Sequence, residues 1–323
     1  MKTEQSLNEE EMNLVNLAQQ YADEDKARQL VEAWRWPDGP VCPHCKAKGA
    51  YELKGKADSK NPVPAGTRKC RECRKKFTVR VGTIFEDSHI KLPVWIQAFF
   101  MMSASKKGIS AKQIERMLGV TYKTAWFMCH RIRHAMGQSP VAELLEGMVE
   151  CDETYIGGKP RPGDGKIRKF GRATDKSPVV ALVERGGNVR AKAVARVNKK
   201  TLRKFINENV GNRTIFNTDQ FPIYKNLASR FLRHDRVNHS SNEYSRHNPD
   251  GTVSHVNSCE SFFSLLKRGV YGAFHHVSKE HLPKYCDEFA FRWNHRELKD
   301  GERMKIAICQ TEGKRLMYRD SSR

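Results

Sequence analysis

Four cysteines in two tight pairs are the first residues here whose spacing points to chemistry. "CPHC" holds Cys42 and Cys45, "CREC" holds Cys70 and Cys73, and 24 residues separate the pairs. Each CxxC can fold into a knuckle that turns two thiolates toward one ion, and two knuckles make a closed tetrahedral Zn²⁺ site. A closed site has no coordination position left for substrate, so this zinc would be structural. Lys46, Lys48, Arg68, Lys69, Arg71, Arg74, Lys75 and Lys76 crowd around the pairs. Cations favour the thiolate and would attract a phosphate nearby. A redox pair is the alternative use of these thiols, and His44 is an alternative ligand.

Acids at the ends of apolar runs are the second such feature. "GMVECDETYIGG" delivers Asp152 and Glu153, and "RTIFNTDQFPIY" delivers Asp219. Carboxylates at strand ends can converge on hard divalent cations such as Mg²⁺ or Mn²⁺, which take oxygen ligands. Two such ions about 4 Å apart can activate an attacking oxygen and steady a leaving one in phosphoryl transfer. The plainer use of any one acid is to cap a turn or pair with a lysine. A third acid lies in "HVNSCESFFSLLKRG". If this stretch is helical, Asn257, Glu260, Ser264 and Lys267 share one face, and Phe262, Phe263, Leu265 and Leu266 lie mostly around the other side. Taken alone, that line is a solvated polar face.

The elements that must position these residues follow from pattern and punctuation. The chain has 323 residues, enough for two or three domains. Apolar residues form 38% of it, which suffices for real cores. Its net charge of +21 points to a polyanionic partner, nucleic acid before membrane. No run long and apolar enough to span a bilayer is present, and the acidic, amphipathic N-terminus lacks the apolar core of a signal peptide. The nine cysteines are an odd count dominated by CxxC pairs, which argues against a disulfide framework. Residues 1–36 read as one or two helices that end at "WPDGP". "KKFTVRVGTIFEDS" reads as strands closing the cysteine module. Beyond Gly147 come short β-rich runs, then helices at "KKTLRKFINENV", "FPIYKNLASRF", "CESFFSLLKR" and "SKEHLPKYCDEFAFRWNH". Such an order suggests an α/β sheet with helices on its faces.

Between these parts, "KGISAKQIERMLGVTYKTAWFMCHRIRHAM" reads as a helix, a turn at Leu118–Val120 and a second helix. Ser110 and Gln113 fit a capping box and Thr121 fits the cap of the second helix. Ile114, Leu118, Trp126 and Ile132 form the expected seam. Lys112, Tyr122, Lys123 and Thr124 would face outward, and the second helix adds His130, Arg131 and Arg133, cations suited to a groove or a phosphate track. An ordinary helical hairpin is the alternative.

In this order the cysteine pairs, the two helices, "CDETYIGGK", "TDQFPIYKNL" and "HVNSCESFFSLLKRGVYGAFHHVSKEHLPKYCDEFAFRWNHR" resemble the ISXO-like insertion-sequence DDE transposases. The resemblance covers roughly residues 20–300. It implies an RNase H-like α/β catalytic core preceded by a Cys₄ zinc ribbon and a helix-turn-helix. The implied division is 1–88 for N-terminal helices and ribbon, 89–140 for the helix-turn-helix, 141–300 for the catalytic domain and 301–323 for a tail. Carried over by motif, the metal-binding triad falls on Asp152, Asp219 and Glu260, with Lys267 toward phosphate and Asn257 a lesser candidate for the third position. Glu153 competes with Asp152; strand alternation groups Met148, Glu150 and Asp152 against Val149, Cys151 and Glu153.

The implied reaction is metal-dependent cleavage of element ends and joining of the freed 3′-OH to target DNA. The basic loop containing Lys159, Arg161, Lys166, Arg168, Lys169 and Arg172 would track the DNA backbone. His275 and His276 either meet DNA or serve a turn, while Asp287 and Glu288 pair with Arg292 or Arg296. The implied partners are double-stranded DNA and further copies of the chain, at least a dimer, with no membrane, in a bacterial-type cytoplasm associated with the nucleoid. A DNA-binding regulator without catalysis, or a domesticated transposase, is the alternative; retention of all three acids speaks for the enzyme.

Overall fold

The computed structural model of the chain describes residues 12–55, 62–137, 143–158, 175–226, 230–238, 241 and 243–321. Two compact units emerge. One combines residues 1–136 with 297–323; the other comprises 137–296.

The first unit begins with α1 (Leu14–Gln20) and α2 (Glu24–Arg35). Asn13 caps α1 by accepting from the Asn16 amide, and Asp23 caps α2 by accepting from the amides of Asp25 and Lys26. Three short antiparallel strands follow: β1 (Ala50–Glu52), β2 (Arg68–Cys70) and β3 (Lys76–Phe77). The expected closing strands after the second cysteine pair shrink to β3 alone. Beyond it the chain turns repeatedly, sinking Val79, Ile84 and Phe85 into the core instead of extending a sheet.

Helix α3 (Leu92–Ala104) is apolar almost all round, as a helix surrounded by others must be. It packs against α1, α2, α4 (Ala111–Leu118), α5 (Tyr122–Met136) and α9 (Asp300–Cys309). α9 and α10 (Tyr318–Ser321) correct the expectation of a C-terminal tail. Met304, Ala307 and Ile308 are fully buried, so this segment is part of the unit's core.

α4 and α5 form where the caps predict. Ser110 accepts from the Gln113 amide at 3.2 Å, Gly119 ends α4 at φ 63°, and Thr121 accepts from the Thr124 amide at 3.3 Å. Ile114 and Ile132 are buried between the helices, with Leu118 and Trp126 half-buried beside them.

The second unit is a five-stranded sheet with spatial order β6-β5-β4-β7-β8. β5 (Ser177–Glu184) runs antiparallel to both its neighbours, β4 (Leu145–Ile156) and β6 (Val189–Ala193). α6 (Lys199–Asn209) crosses over to β7 (Val210–Asp219), which lies parallel to β4, and β8 (Arg233–Val237) lies parallel to β7. β9 (Arg246–His247) and β10 (Val253–Ser254) form a small hairpin. It is followed by α7 (Asn257–Arg268) and α8 (Leu282–Asn294).

The sheet is covered on both faces, which is why β5 reads as an uninterrupted apolar run. On one face Val149, Cys151, Val180 and Phe216 meet Leu202, Phe205 and Ile206 of α6. On the other, Ile156, Val179, Ala181 and Val183 meet Cys259, Phe262, Phe263 and Leu266 of α7 and Phe289 of α8. Each buried Phe or Leu anchoring α7 contributes about 2 kcal/mol.

The expected helix at "FPIYKNLASRF" reduces, among its described residues, to a short 3-10 turn at Pro222–Asn226. Glu288 takes its expected partner: it is fully buried 2.6 Å from Arg292. Arg296 instead donates to the carbonyls of Gly186 and Gly187.

Candidate active site and metal centre

The parallel pairing of β4 with β7 sets two acids beside each other. Cys151 registers with Thr218, so the next residues, Asp152 and Asp219, follow side by side on adjacent strands; Asp219 ends β7 as expected, whereas Asp152 lies within β4, which continues to Ile156 against β5. β7 stops at Asp219 because its Oδ1 accepts from the Phe221 amide at 2.9 Å in an Asx-type turn. Glu260 comes from the first turn of α7, and Lys267 lies two turns further along the same face. That face is the exposed one: Asn257, Glu260 and Ser264 are exposed and Lys267 partly so.

Asp152, Glu260 and Lys267 line one cavity of about 780 Å³, with Glu153, Ser264, Arg268 and Tyr271 on its walls. Burial pushes the Asp152 carboxyl up to about 8, and the charges of Glu153, Asp219 and Glu260 push the same way, against a 2.8 Å hydrogen bond from the Glu153 amide. Three neighbouring carboxylates therefore act on Asp152. Their donors are all hard oxygens, and a divalent cation among them would replace repulsion with attraction, so the residues fit Mg²⁺ or Mn²⁺. The acids do not close on a single point. Among the described residues, only the cysteine cluster gathers three or more potential metal-binding side chains with donor atoms within 4.8 Å of one another. A pair of ions tolerates such a spread better than one ion does.

Glu153 differs from Asp152 as strand alternation expects. It receives the Tyr224 hydroxyl at 2.8 Å, and that hydroxyl also receives the Cys151 thiol at 3.7 Å. Burial, then the charges of Cys151 and Glu153, raises the Tyr224 pKa well above its ordinary value, so it remains a donor. Two contributors were missed in sequence. Tyr224 looked like a helix residue. Glu150 looked like one more position on an alternating strand, yet it is fully buried and accepts from Arg185 Nε at 2.7 Å and from the Ser258 amide at 2.7 Å.

In the other unit, Cys42, Cys45, Cys70 and Cys73 form the expected cluster. Sγ separations of 3.6 Å join Cys42 to Cys73 and Cys45 to Cys70. Tetrahedral zinc with 2.3 Å bonds requires about 3.8 Å, so the thiols fit that ion. The knuckles are built alike. Lys46 and Arg74, each following a second cysteine, take left-handed backbone angles of φ 62° and 60°. The amides of Cys42 and Cys70 close the loops onto the carbonyls of Ala47 and Lys75. His44 approaches the Lys76 carbonyl at 3.4 Å instead of joining the cluster.

The residues expected to meet DNA divide. Lys112, Tyr122 and Lys123 are exposed and Thr124 is half-buried. Lys112 pairs with Glu115 at 2.5 Å and Lys123 lies 4.6 Å from the Tyr318 ring centre. Arg131 is a correction. It is buried, donates to the Leu316 carbonyl at 3.1 Å and stacks 4.4 Å from the Phe127 ring centre, so its guanidinium faces the core. His130 and Arg133 are buried with it. Lys159, Arg161, Lys166, Arg168, Lys169 and Arg172 lie outside the described residues. His275 adopts a left-handed turn conformation with φ 62°.

A mixed α/β protein with a four-cysteine cluster and an acid-lined cavity between β4 and α7 defines the class. Family models sharpen it: an ISXO2-like transposase domain matches residues 144–294 and a transposase zinc-ribbon domain matches residues 22–76. A relative from Halobacterium salinarum, an uncharacterized protein in transposable element ISH50, is 30% identical over 285 residues, which cover 84% of this chain and 91% of that protein. An uncharacterized transposase-like protein from Haemophilus influenzae is 32% identical over 106 residues, 33% of this chain and 80% of its own length. A solved pre-cleavage Mos1 transpososome aligns at 15% identity over 97% of this chain and 100% of that one, with a TM-score of 0.24, too low to inform the fold. The chain belongs to the ISXO2-like transposase family.

Proposed function

We propose that this protein is a DNA transposase that cleaves the ends of an insertion sequence and joins the freed 3′-OH to target DNA by metal-dependent phosphoryl transfer. The observation that carries this reading is the juxtaposition of Asp152 and Asp219 on parallel strands, with Glu260 facing the same cavity from α7. The sheet supports an RNase H-like assignment: three antiparallel strands, a crossover helix, then two strands parallel to the first. Divalent cations bound by Asp152, Asp219 and Glu260 would activate the attacking oxygen and stabilise the departing 3′ oxygen.

The chain's own groups do the rest. Lys267 offers its ammonium to the scissile phosphate, and Arg268 adds a second cation on the cavity wall. Water attacks phosphorus and the P–O3′ bond breaks, leaving a 5′-phosphate and a free 3′-OH; that 3′-OH, held in the same cavity, then attacks a target phosphodiester, whose own P–O3′ bond breaks to release a target 3′-OH. α4 and α5 act as a helix-turn-helix, with Lys112, Tyr122, Lys123 and Thr124 on DNA and the zinc ribbon beside them in sequence. The basic residues from Lys159 to Arg172 add backbone contacts. Joining two ends requires at least two copies of the chain.

One observation favours the alternative of a DNA-binding regulator, namely the spread of the carboxylates beyond single-ion spacing. Retention of all three acids outweighs it. The test is to incubate element-end DNA with Mg²⁺ and wild type, Asp152→Ala, Asp219→Ala, Glu260→Ala or Asn257→Ala. Cleavage by wild type alone or with Asn257→Ala supports the assignment. Intact DNA with wild type, or normal cutting by any of the three acid variants, refutes the corresponding part.

A further inference from the structure

Glu150 lies two residues before Asp152 on β4 and is fully buried. Its Oε1 accepts from Arg185 Nε at 2.7 Å and from the Ser258 hydroxyl at 3.0 Å, and His255 Nδ1 lies 3.0 Å away. Its Oε2 accepts from the amides of Ser258 at 2.7 Å and Cys259 at 3.2 Å. Those amides belong to the first turn of α7, whose N-terminal flank at Val256 supplies no side-chain cap. A helix start leaves amides that need acceptors, normally provided by the residue just before the helix. Here a strand carboxylate more than a hundred positions away in sequence provides them. Arg185 completes the tie by also donating to the carbonyls of Val253 and His255, on the segment leading into α7.

The consequence is geometric. β4 carries Asp152 into the cavity, and through Glu150 the same strand grips the turn of α7 that bears Glu260. Glu260 follows Cys259, one of the gripped amides, by a single residue. Charge-assisted hydrogen bonds of this kind are short and directional, so they fix position as well as supply energy. The apolar contacts of Phe262, Phe263 and Leu266 hold α7 on the sheet, but apolar packing alone defines its position along and around its axis less sharply.

We propose that Glu150 is a positioning residue: it locks the start of α7 to β4 so that Glu260 and Asp152 present their carboxylates to a shared divalent-cation site. This rests on reading Asp152 and Glu260 as ligands, and the experiment separates the two ideas. Mn²⁺ binding is measured by electron paramagnetic resonance on the full zinc-loaded chain, with a thermal melt of each variant. Wild type is expected to bind, Asp152→Ala to lose binding, and Glu150→Gln to bind about tenfold more weakly, the usual scale for groups that orient a metal ligand. Glu150→Asp keeps the charge but loses reach, and is expected to be weakened too. Ser258→Ala removes one donor and is expected to weaken binding about threefold. If Glu150→Gln does not fold, the other two decide.

Mn²⁺ affinity unchanged in folded Glu150→Gln or Glu150→Asp overturns the proposal, as does any weakening that only follows the unfolded fraction. Unchanged binding in Asp152→Ala instead overturns the ligand assignment on which it rests.

Discussion

The two candidate metal sites solve opposite problems. The cysteine cluster is local: each knuckle closes on its own backbone hydrogen bonds, and four soft donors sit within single-ion spacing. The carboxylate site is assembled from two strands and a helix, with hard donors spread more widely and Asp152 pressed by its acidic neighbours. A closed thiolate site suits an ion that never leaves. An open, strained carboxylate site suits ions that bind with substrate and share their coordination with it. Removing metal should therefore unfold the first site and leave the carboxylates of the second repelling Asp152.

Loss of zinc has the gravest consequence, and it falls on the ribbon. Stripping zinc, or replacing Cys42 or Cys70 with Ser, removes a binding energy on the order of 10 kcal/mol that the short strands β1 to β3 cannot replace. Limited proteolysis should then cut between residues 40 and 80 in the stripped chain and spare the loaded one. Mn²⁺ binding at the carboxylates should survive. Ribbon resistance without zinc would mean that the metal does not hold the ribbon together.

Next comes the chemistry. Asp152→Ala or Asp219→Ala should lower end cleavage roughly a thousandfold or more, the scale set by removing a main electrostatic stabiliser. Affinity for end DNA in metal-free buffer should hold, because these carboxylates repel phosphate. Loss of cleavage accompanied by equal loss of DNA binding would place the acids in folding instead.

The third effect is on stability and has a defined sign. In the folded chain the Asp152 carboxyl is raised to about 8 from an ordinary value of 3.8. A group raised on folding contributes its full stability below the unfolded value and loses it as pH climbs through the folded one. In Mg²⁺-free buffer with zinc retained, Asp152→Asn should therefore melt above wild type. The gap should grow from pH 5 to pH 8 and then level off. Added Mn²⁺ should erase it by stabilising wild type alone. A gap that is constant across that range would show that charge repulsion is not its source.

Legibility divided along the same line. The cysteine site could be read because its logic is local; the choice of Asp152 over Glu153 rests on the motif match, because alternation says only that the two face opposite sides of the strand. Glu150 could not be read, since its partners lie far along the chain and an acid between Val149 and Cys151 looks like an exposed strand residue. β8 was missed because "RHDRV" carries the charges that protect an edge strand, with Arg233 pairing to Asp235 and Asp250. α9 was missed because it lies beyond the roughly 20–300 span of the family resemblance, although half of "DGERMKIAIC" is apolar and Met304, Ala307 and Ile308 all point inward. Arg131 misled because a guanidinium reads as surface until a carbonyl such as that of Leu316 comes to meet it.

Arg131 and Lys123 give the smallest and most local test. Both lie on α5, two turns apart, and charge alone makes them equivalent. Their surroundings do not: Lys123 is exposed beside Tyr318, whereas Arg131 is buried and hydrogen-bonded. Lys123→Ala should leave the melting point near wild type, weaken DNA binding modestly and lower the salt-dependence slope by about one, as expected for one lost phosphate contact. Arg131→Ala should do the reverse. It leaves a buried carbonyl without its donor, which costs about 1–3 kcal/mol of stability, while the folded fraction keeps the wild-type slope. Because a slope reports phosphate contacts and a melt reports packing, the two variants exchange signatures if the assignment of faces on α5 is wrong.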